Sequence, residues 1–165
     1  MASGRRTIVV DGDGGFQFNI QELETVARLK LPIKFFVLNN GGYSSIRSSQ
    51  RTHFGHVVAA DASSGQTLPD LGRVAAAWGL PSRRIDSQRN LREQLRDVLA
   101  ASGPVVCDVV VVPDEDRLPR ISSRALPDGS MISTPLEDLF PYLPRDEFEE
   151  NMRHASSPTP EERSS

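Results

Sequence analysis

At 165 residues and 18.1 kDa the chain is long enough to bury one sizeable α/β core and too short for two. A net charge of −3 and a pI near 5.6 give no reason to expect nucleic acid or an anionic membrane as a partner, and no stretch reads as a signal peptide or a membrane span. The single cysteine, Cys107, excludes an intramolecular disulfide, and the expected compartment is the reducing cytoplasm.

After a polar lead-in over residues 1–6, residues 7–10 (TIVV) form a β-branched run that stops at Asp11, Gly12, Asp13, Gly14 and Gly15. A buried parallel strand behaves this way on reaching a ligand crevice, so a strand is expected to end at Asp13. Asn19 is placed as an N-cap with Glu22 completing a capping box, and Ile20, Leu23, Val26 or Ala27, and Leu31 recur at helical spacing. A helix of about three turns is expected, closed by Pro32. Residues 33–38 (IKFFVL) are a second apolar run, ending in Asn39, Asn40, Gly41 and Gly42. The three elements make a βαβ unit whose right-handed crossover sets the strands parallel. Asp13 and Asn40 then both stand at carboxyl ends, the edge where open α/β sheets bind ligands. A carboxylate, a carboxamide oxygen and a backbone carbonyl are hard ligands suited to magnesium, and glycines beside a helix N-terminus suit an anion. This chemistry describes a metal-bridged diphosphate site.

Gly12-Asp13-Gly14, then twenty-four intervening residues (15–38), then Asn39-Asn40 resembles the cofactor motif of thiamine-diphosphate-dependent enzymes. The surrounding sequence, GDGGFQFNIQELETVARLKLPIKFFVLNNGGYSSIR, is most similar to the acetolactate synthase-like group of 2-oxo acid decarboxylases and carboligases. Either half of the motif alone is a weak signal; the two in order on consecutive strand ends are a strong one. The resemblance implies a three-layer open parallel sheet with helices on both faces, the thiamine-diphosphate-binding fold. It implies Mg2+ held by Asp13, Asn40 and the Gly42 carbonyl, and cofactor contacts from Gly12, Gly14, Gly15 and Tyr43, the Gly14 and Gly15 amides facing the diphosphate. Gly15 departs from the pattern, since many members carry serine there; the amide survives and a hydroxyl contact does not.

Asp11-Gly12-Asp13 behind an apolar strand also resembles the nucleophile motif of haloacid-dehalogenase-type phosphatases, but that family needs a later lysine, and the only lysines are Lys30 and Lys34. A dinucleotide fingerprint would need glycine in place of Gln17 and an acidic residue where Asn39-Asn40 stands. A turn-only reading suits Asp13 or Asn40 singly and leaves their joint placement unexplained.

Residues 41–56 are too polar and irregular for a core element and are expected to be a loop. By the resemblance that loop closes over the cofactor, with Tyr43 and Ile46 as candidates for lining the substrate pocket. His53 and His56 lack a carboxylate or cysteine partner at ligand spacing and are expected to face solvent. A helix follows Pro69, with Leu71, Val74, Ala75 and Trp78 inward and Gly79 after its last turn. Residues 83–86 suit a short strand, and Ser87 is expected to cap a helix carrying Leu91, Leu95, Val98 and Leu99 inward until Gly103. Residues 105–112 should be the interior strand, with Cys107 an inert core thiol and Asp108 at a strand end or paired. Eight of the twelve prolines lie from 113 onward, where an extended C-terminal arm over 113–153 with a short helix at 146–152 is expected to pack on the 7–112 domain. Residues 1–6 and 154–165 are expected to be disordered.

The family resemblance implies a 2-oxo acid substrate such as pyruvate and a lyase or transferase reaction. It also implies that the glutamate activating the cofactor comes from a pyrimidine-binding domain on another chain or a missing segment. The chain is thus expected to be a fragment, a truncated product or one subunit of a split enzyme, working in a homo- or hetero-oligomer and inactive alone. The alternative is a non-catalytic binding or regulatory subunit that keeps the fold.

Overall fold

Four segments, all but the third rich in apolar residues, pair as one parallel sheet: β1 (Thr7–Gly12), β2 (Ile33–Asn39), β3 (Ser82–Ile85) and β4 (Val105–Val110), in the order β1-β2-β4-β3. The structure is a computed structural model that describes residues 5–113, 115 and 118–155; the disorder expected over residues 1–4 and 156–165 falls outside them. The chain divides into two compact units, Met1–Glu115 and Asp116–Ser165.

In the first unit the pleat sends alternate side chains to opposite faces, and helices pack on both. Phe35, Val37 and Val106 meet Phe16, Leu23, Leu71, Ala75 and Leu80 on one side, where α2 (Glu22–Arg28) and α4 (Leu71–Ala77) pack. On the other, Phe36, Val105, Cys107 and Ile85 meet Val98, Leu91, Leu95 and Leu99 of α5 (Leu91–Ala100). This is the expected three-layer α/β architecture, with β4 in the sheet interior and the inward stripes of α4 and α5 as read from the sequence. Gly79, at φ 68°, follows the last turn of α4 as expected. Cys107 is fully buried; burial and then the neighbouring Asp108 push its thiol up to about 11, so it stays protonated and inert at neutral pH. Lys34 is buried with its ammonium donating to the Ala101 and Gly103 carbonyls at 2.6 and 2.5 Å, beyond the last turn of α5, where helix carbonyls lack partners. Burial, then the charge of Arg6, lowers its pKa.

Several local expectations are corrected. β1 gives way at Asp13 as expected, but it is an edge strand, not a buried one: Ile8 and Val10 are 52% and 64% exposed, because α5 sits over β2, β4 and β3. The crossover helix does not start at an Asn19 capping box. The chain is already helical from α1 (Asp13–Phe16) through a 3-10 turn at Gln17–Asn19, and Gln21, at the N-cap of the two-turn α2, has helical dihedrals and makes no side-chain cap. A capping box needs an extended residue at the cap, and none is left there. The expected loop over 41–56 contains α3 (Ser44–Phe54), an eleven-residue helix closed by Gly55 at φ 69°. Ser87 does not cap α5; Asn90 holds that position in the left-handed region, while the Ser87 hydroxyl accepts from the Arg89 amide. β4 stops at Val110 rather than 112. Arg6, placed with the loose N-terminus, donates to the Leu99 carbonyl at 2.9 Å.

The second unit holds an antiparallel pair, β5 (Ser123–Ala125) and β6 (Met131–Ser133), turned at Asp128, whose carboxylate accepts from the amide and hydroxyl of Ser130. A bidentate pair from Arg145 to Asp138, at 2.7 and 2.9 Å, ties the start of α6 (Arg145–Ala155) to the preceding turn. The expected 146–152 helix lies within α6, which runs on through His154, a residue assigned to the loose terminus. No helix among the described residues is long and apolar enough to cross a membrane.

Candidate functional site

β1 delivers Asp13 to the first position of α1, where it is buried to 2% exposure. Its Oδ1 accepts from the Gly14 amide at 2.8 Å, and its Oδ2 accepts from the amides of Gly41 and Gly42 at 2.8 and 3.0 Å. One carboxylate thereby ties the carboxyl ends of β1 and β2 together, the juncture that the βαβ reading required. Oδ1 accepts one of these three bonds and keeps a lone pair.

The turn around it leaves no room for side chains at two positions. A Cβ on Gly14 would stand 2.5 Å from Cδ1 of the Tyr43 ring, which itself packs against Phe18 with centroids 6.4 Å apart. Gly42, at φ 153°, lies where only glycine is unstrained, and a Cβ there would collide with the Ala60 carbonyl oxygen. That contact is close because Gly42 bridges Asp61 and the Tyr43 amide donates to the Ala60 carbonyl at 2.8 Å. Two residues before Gly42 stands Asn40. Its Oδ1 is buried and has no hydrogen-bond partner, one of three such polar side-chain atoms among the described residues. A buried acceptor without a partner forgoes about 1–3 kcal/mol, so an occupant for it is to be looked for.

The other sequence candidates fall as follows. Gly12 is half-buried with its amide on Asp11 Oδ1 at 2.7 Å, and Gly15 is exposed beside the Asp11 side chain. The Gly14 amide, assigned to a diphosphate, is turned onto Asp13. Ile46 is exposed on α3. His53 and His56 face solvent as expected, and no group of three or more His, Cys, Asp or Glu among the described residues could hold a metal.

Two supports of the turn escaped the sequence reading. Asp61 caps the short 3-10 turn Ala62–Ser64, and the hydroxyls of Ser63 and Ser64, with the Ser64 amide and the Arg47 guanidinium, pull its pKa down to about 2. The spacing of Asp61 and Ser64 is the one local signal for it. Arg47 is buried on α3, donating to the Pro113 carbonyl at 2.6 Å and reaching Asp61 at 3.4 Å.

Residues 1–109 match the family model described as thiamine pyrophosphate enzyme, C-terminal TPP binding domain. The chain belongs to this thiamine pyrophosphate enzyme family. Within it the similarity runs to acetolactate synthases: 31% identity over 115 residues to the acetolactate synthase large subunit of Porphyra purpurea, covering 70% of this chain and 19% of that protein. The chloroplastic acetolactate synthase of Arabidopsis thaliana is 33% identical over 119 residues, covering 69% and 18%. A solved structure described as that of a thiamin diphosphate-dependent enzyme from Mycobacterium smegmatis superposes with a TM-score of 0.51 at 33% identity, over 66% of this chain and 18% of that one. The chain thus spans about a fifth of the length of the relatives it matches. It carries the thiamine pyrophosphate-binding C-terminal domain of the acetolactate synthase-like type.

Proposed function

We propose that this domain anchors thiamine diphosphate through a magnesium ion held by Asp13, the Asn40 side chain and the Gly42 carbonyl, as the cofactor-binding part of an acetolactate synthase-like 2-oxo acid decarboxylase or carboligase. The observation that carries the reading is the buried, unpartnered Asn40 Oδ1, in the turn whose next two amides are held by Asp13. The donor set supports the choice of ion: two hard side-chain oxygens and a carbonyl, with no thiolate or imidazole, suit magnesium, which fills its remaining positions with water and phosphate oxygens.

Each residue has a separate task. Asp13 contributes the negative charge that a dication needs and fixes the turn after β2. Gly14 and Gly42 keep the cradle free of side chains, and Tyr43 walls it with its ring. When bound, thiamine diphosphate supplies an electron sink for cleaving or forming the bond beside a 2-oxo carbonyl. The glutamate that activates it is assigned to a partner domain on another chain or segment, so the chain alone binds the cofactor and turns over no pyruvate.

Isothermal calorimetry tests this. Thiamine diphosphate titrated into the 165-residue chain should give saturable heat with magnesium and none after chelation of divalent ions. Equal heats in both conditions would remove the metal from the site, and no heat in either would remove the cofactor.

A further inference from the structure

β4 carries a carboxylate in the middle of the sheet. Asp108 is 5% exposed and pairs in register with Val37 of β2 and Arg84 of β3. A lone buried carboxylate is costly, and this one has two donors: Arg84 Nη1 reaches its Oδ2 at 2.5 Å, and Asn39 Nδ2 reaches its Oδ1 at 2.9 Å. Arg84 is itself more than half exposed and lies 3.9 Å from Asp86. The Asn39 contact is the informative one. With its NH2 committed to Asp108, the Asn39 carboxamide presents Oδ1 on its other side, and that oxygen accepts from the Gly41 amide at 3.1 Å. The same amide donates to Asp13 Oδ2 at 2.8 Å. A continuous polar chain therefore runs from Arg84 on β3 through Asp108 on β4 and Asn39 on β2 to Gly41 and Asp13.

We propose that Asp108 is a positioning residue for the cofactor site: through Asn39 it fixes the turn that carries Asn40 and Gly42. This rests on the function proposed above, in which Asn40 and Gly42 are ligands. The physical reason is specific. An asparagine amide can sit either way round; the Asp108 acceptor and the Gly41 donor select the same orientation, and without Asp108 only the 3.1 Å bond from an amide already shared with Asp13 would hold it. An apolar residue at 108 would keep the strand and leave the Asn39 carboxamide held by that one shared bond, loosening the residues on either side of Asn40. Arg84 holds the carboxylate in place from the opposite edge.

The test uses the whole chain with Asp108→Leu, which removes the acceptor at similar size, Asn39→Ala and the double variant, each shown folded by its near-ultraviolet signal from Trp78. Two readouts are taken: hydrogen exchange of the Gly41 amide without ligand, and magnesium affinity in the presence of saturating thiamine diphosphate. Either single change should speed Gly41 exchange by at least an order of magnitude and weaken magnesium on the order of 10-fold, and the double variant should lose no more than the worse single one. Unchanged exchange in both single variants overturns the proposal. So does unchanged magnesium affinity in folded variants, or additive losses in the double, since a mere core ion pair would behave that way. If the unaltered chain takes up no magnesium, the cofactor reading has failed instead, and the exchange rates alone decide whether Asp108 fixes the turn. Asn39 is half-buried, so Asn39→Ala remains a readable variant if Asp108→Leu does not fold.

Discussion

Asp13→Ala is expected to lose both the cofactor and a large part of the stability of the domain. Two of the three amides that its carboxylate accepts from, those of Gly14 and Gly42, are buried and would be left without a partner, while the exposed Gly41 amide can turn to water. At about 1–3 kcal/mol for each orphaned donor, the loss should come to about 3 kcal/mol, read as a lower urea midpoint at an unchanged slope. Asp13→Asn separates the two roles. Its single carbonyl oxygen can still accept from Gly41 and Gly42, its NH2 meets the Gly14 N–H unfavourably, and the negative charge is gone. About 1 kcal/mol of stability should be lost, and magnesium-dependent binding should weaken by on the order of 100-fold. An asparagine variant that binds the cofactor as tightly as the parent would show that the carboxylate is only a structural tie.

Gly42→Ala should cost about 3 kcal/mol, from a φ that side chains rarely adopt together with a Cβ driven into the Ala60 carbonyl. Backbone cannot retreat as a flexible side chain can, so the contact between the Gly42 turn and Asp61 would have to open. Gly41→Ala is the control. Gly41 also has a positive φ, 77°, but nothing lies within 4 Å of its Cβ position, so it should lose only about 1 kcal/mol. Matched urea titrations of the two variants separate backbone strain from steric collision. Equal losses would mean that the Ala60 contact is not what demands glycine.

The parts of this fold that were legible in the sequence are those written in local signals. The two strand ends are marked by abrupt changes from apolar to Asp, Asn and Gly, and α4 and α5 by apolar stripes that fall on one helix face. α3 was missed because it has no such stripe: its buried residue is Arg47, held by Asp61 and the Pro113 carbonyl, both remote in sequence. The Asn19 capping box matched a pattern that presumes an extended residue before the helix, and here the chain turns helical at Asp13. Residues 7–10 read as a buried strand because side chains toward both faces are apolar, yet burial depends on what lies over each face, and the face bearing Ile8 and Val10 is open. The oddity at Asp108 was visible as a charge inside VVCDVVVV; its partners, Asn39 and Arg84, were not, because they lie 69 and 24 residues away and meet it only through strand order.

The central claim is that an Asp13 oxygen and the Asn40 carboxamide oxygen hold one cation. The direct measurement is a crystal structure of the chain grown with thiamine diphosphate and manganese in place of magnesium, with the metal located by its anomalous scattering. A single peak at roughly 2 Å from Asp13, Asn40 Oδ1 and the Gly42 carbonyl oxygen is the predicted result. A peak away from these atoms, or none there with the cofactor in place, would contradict it.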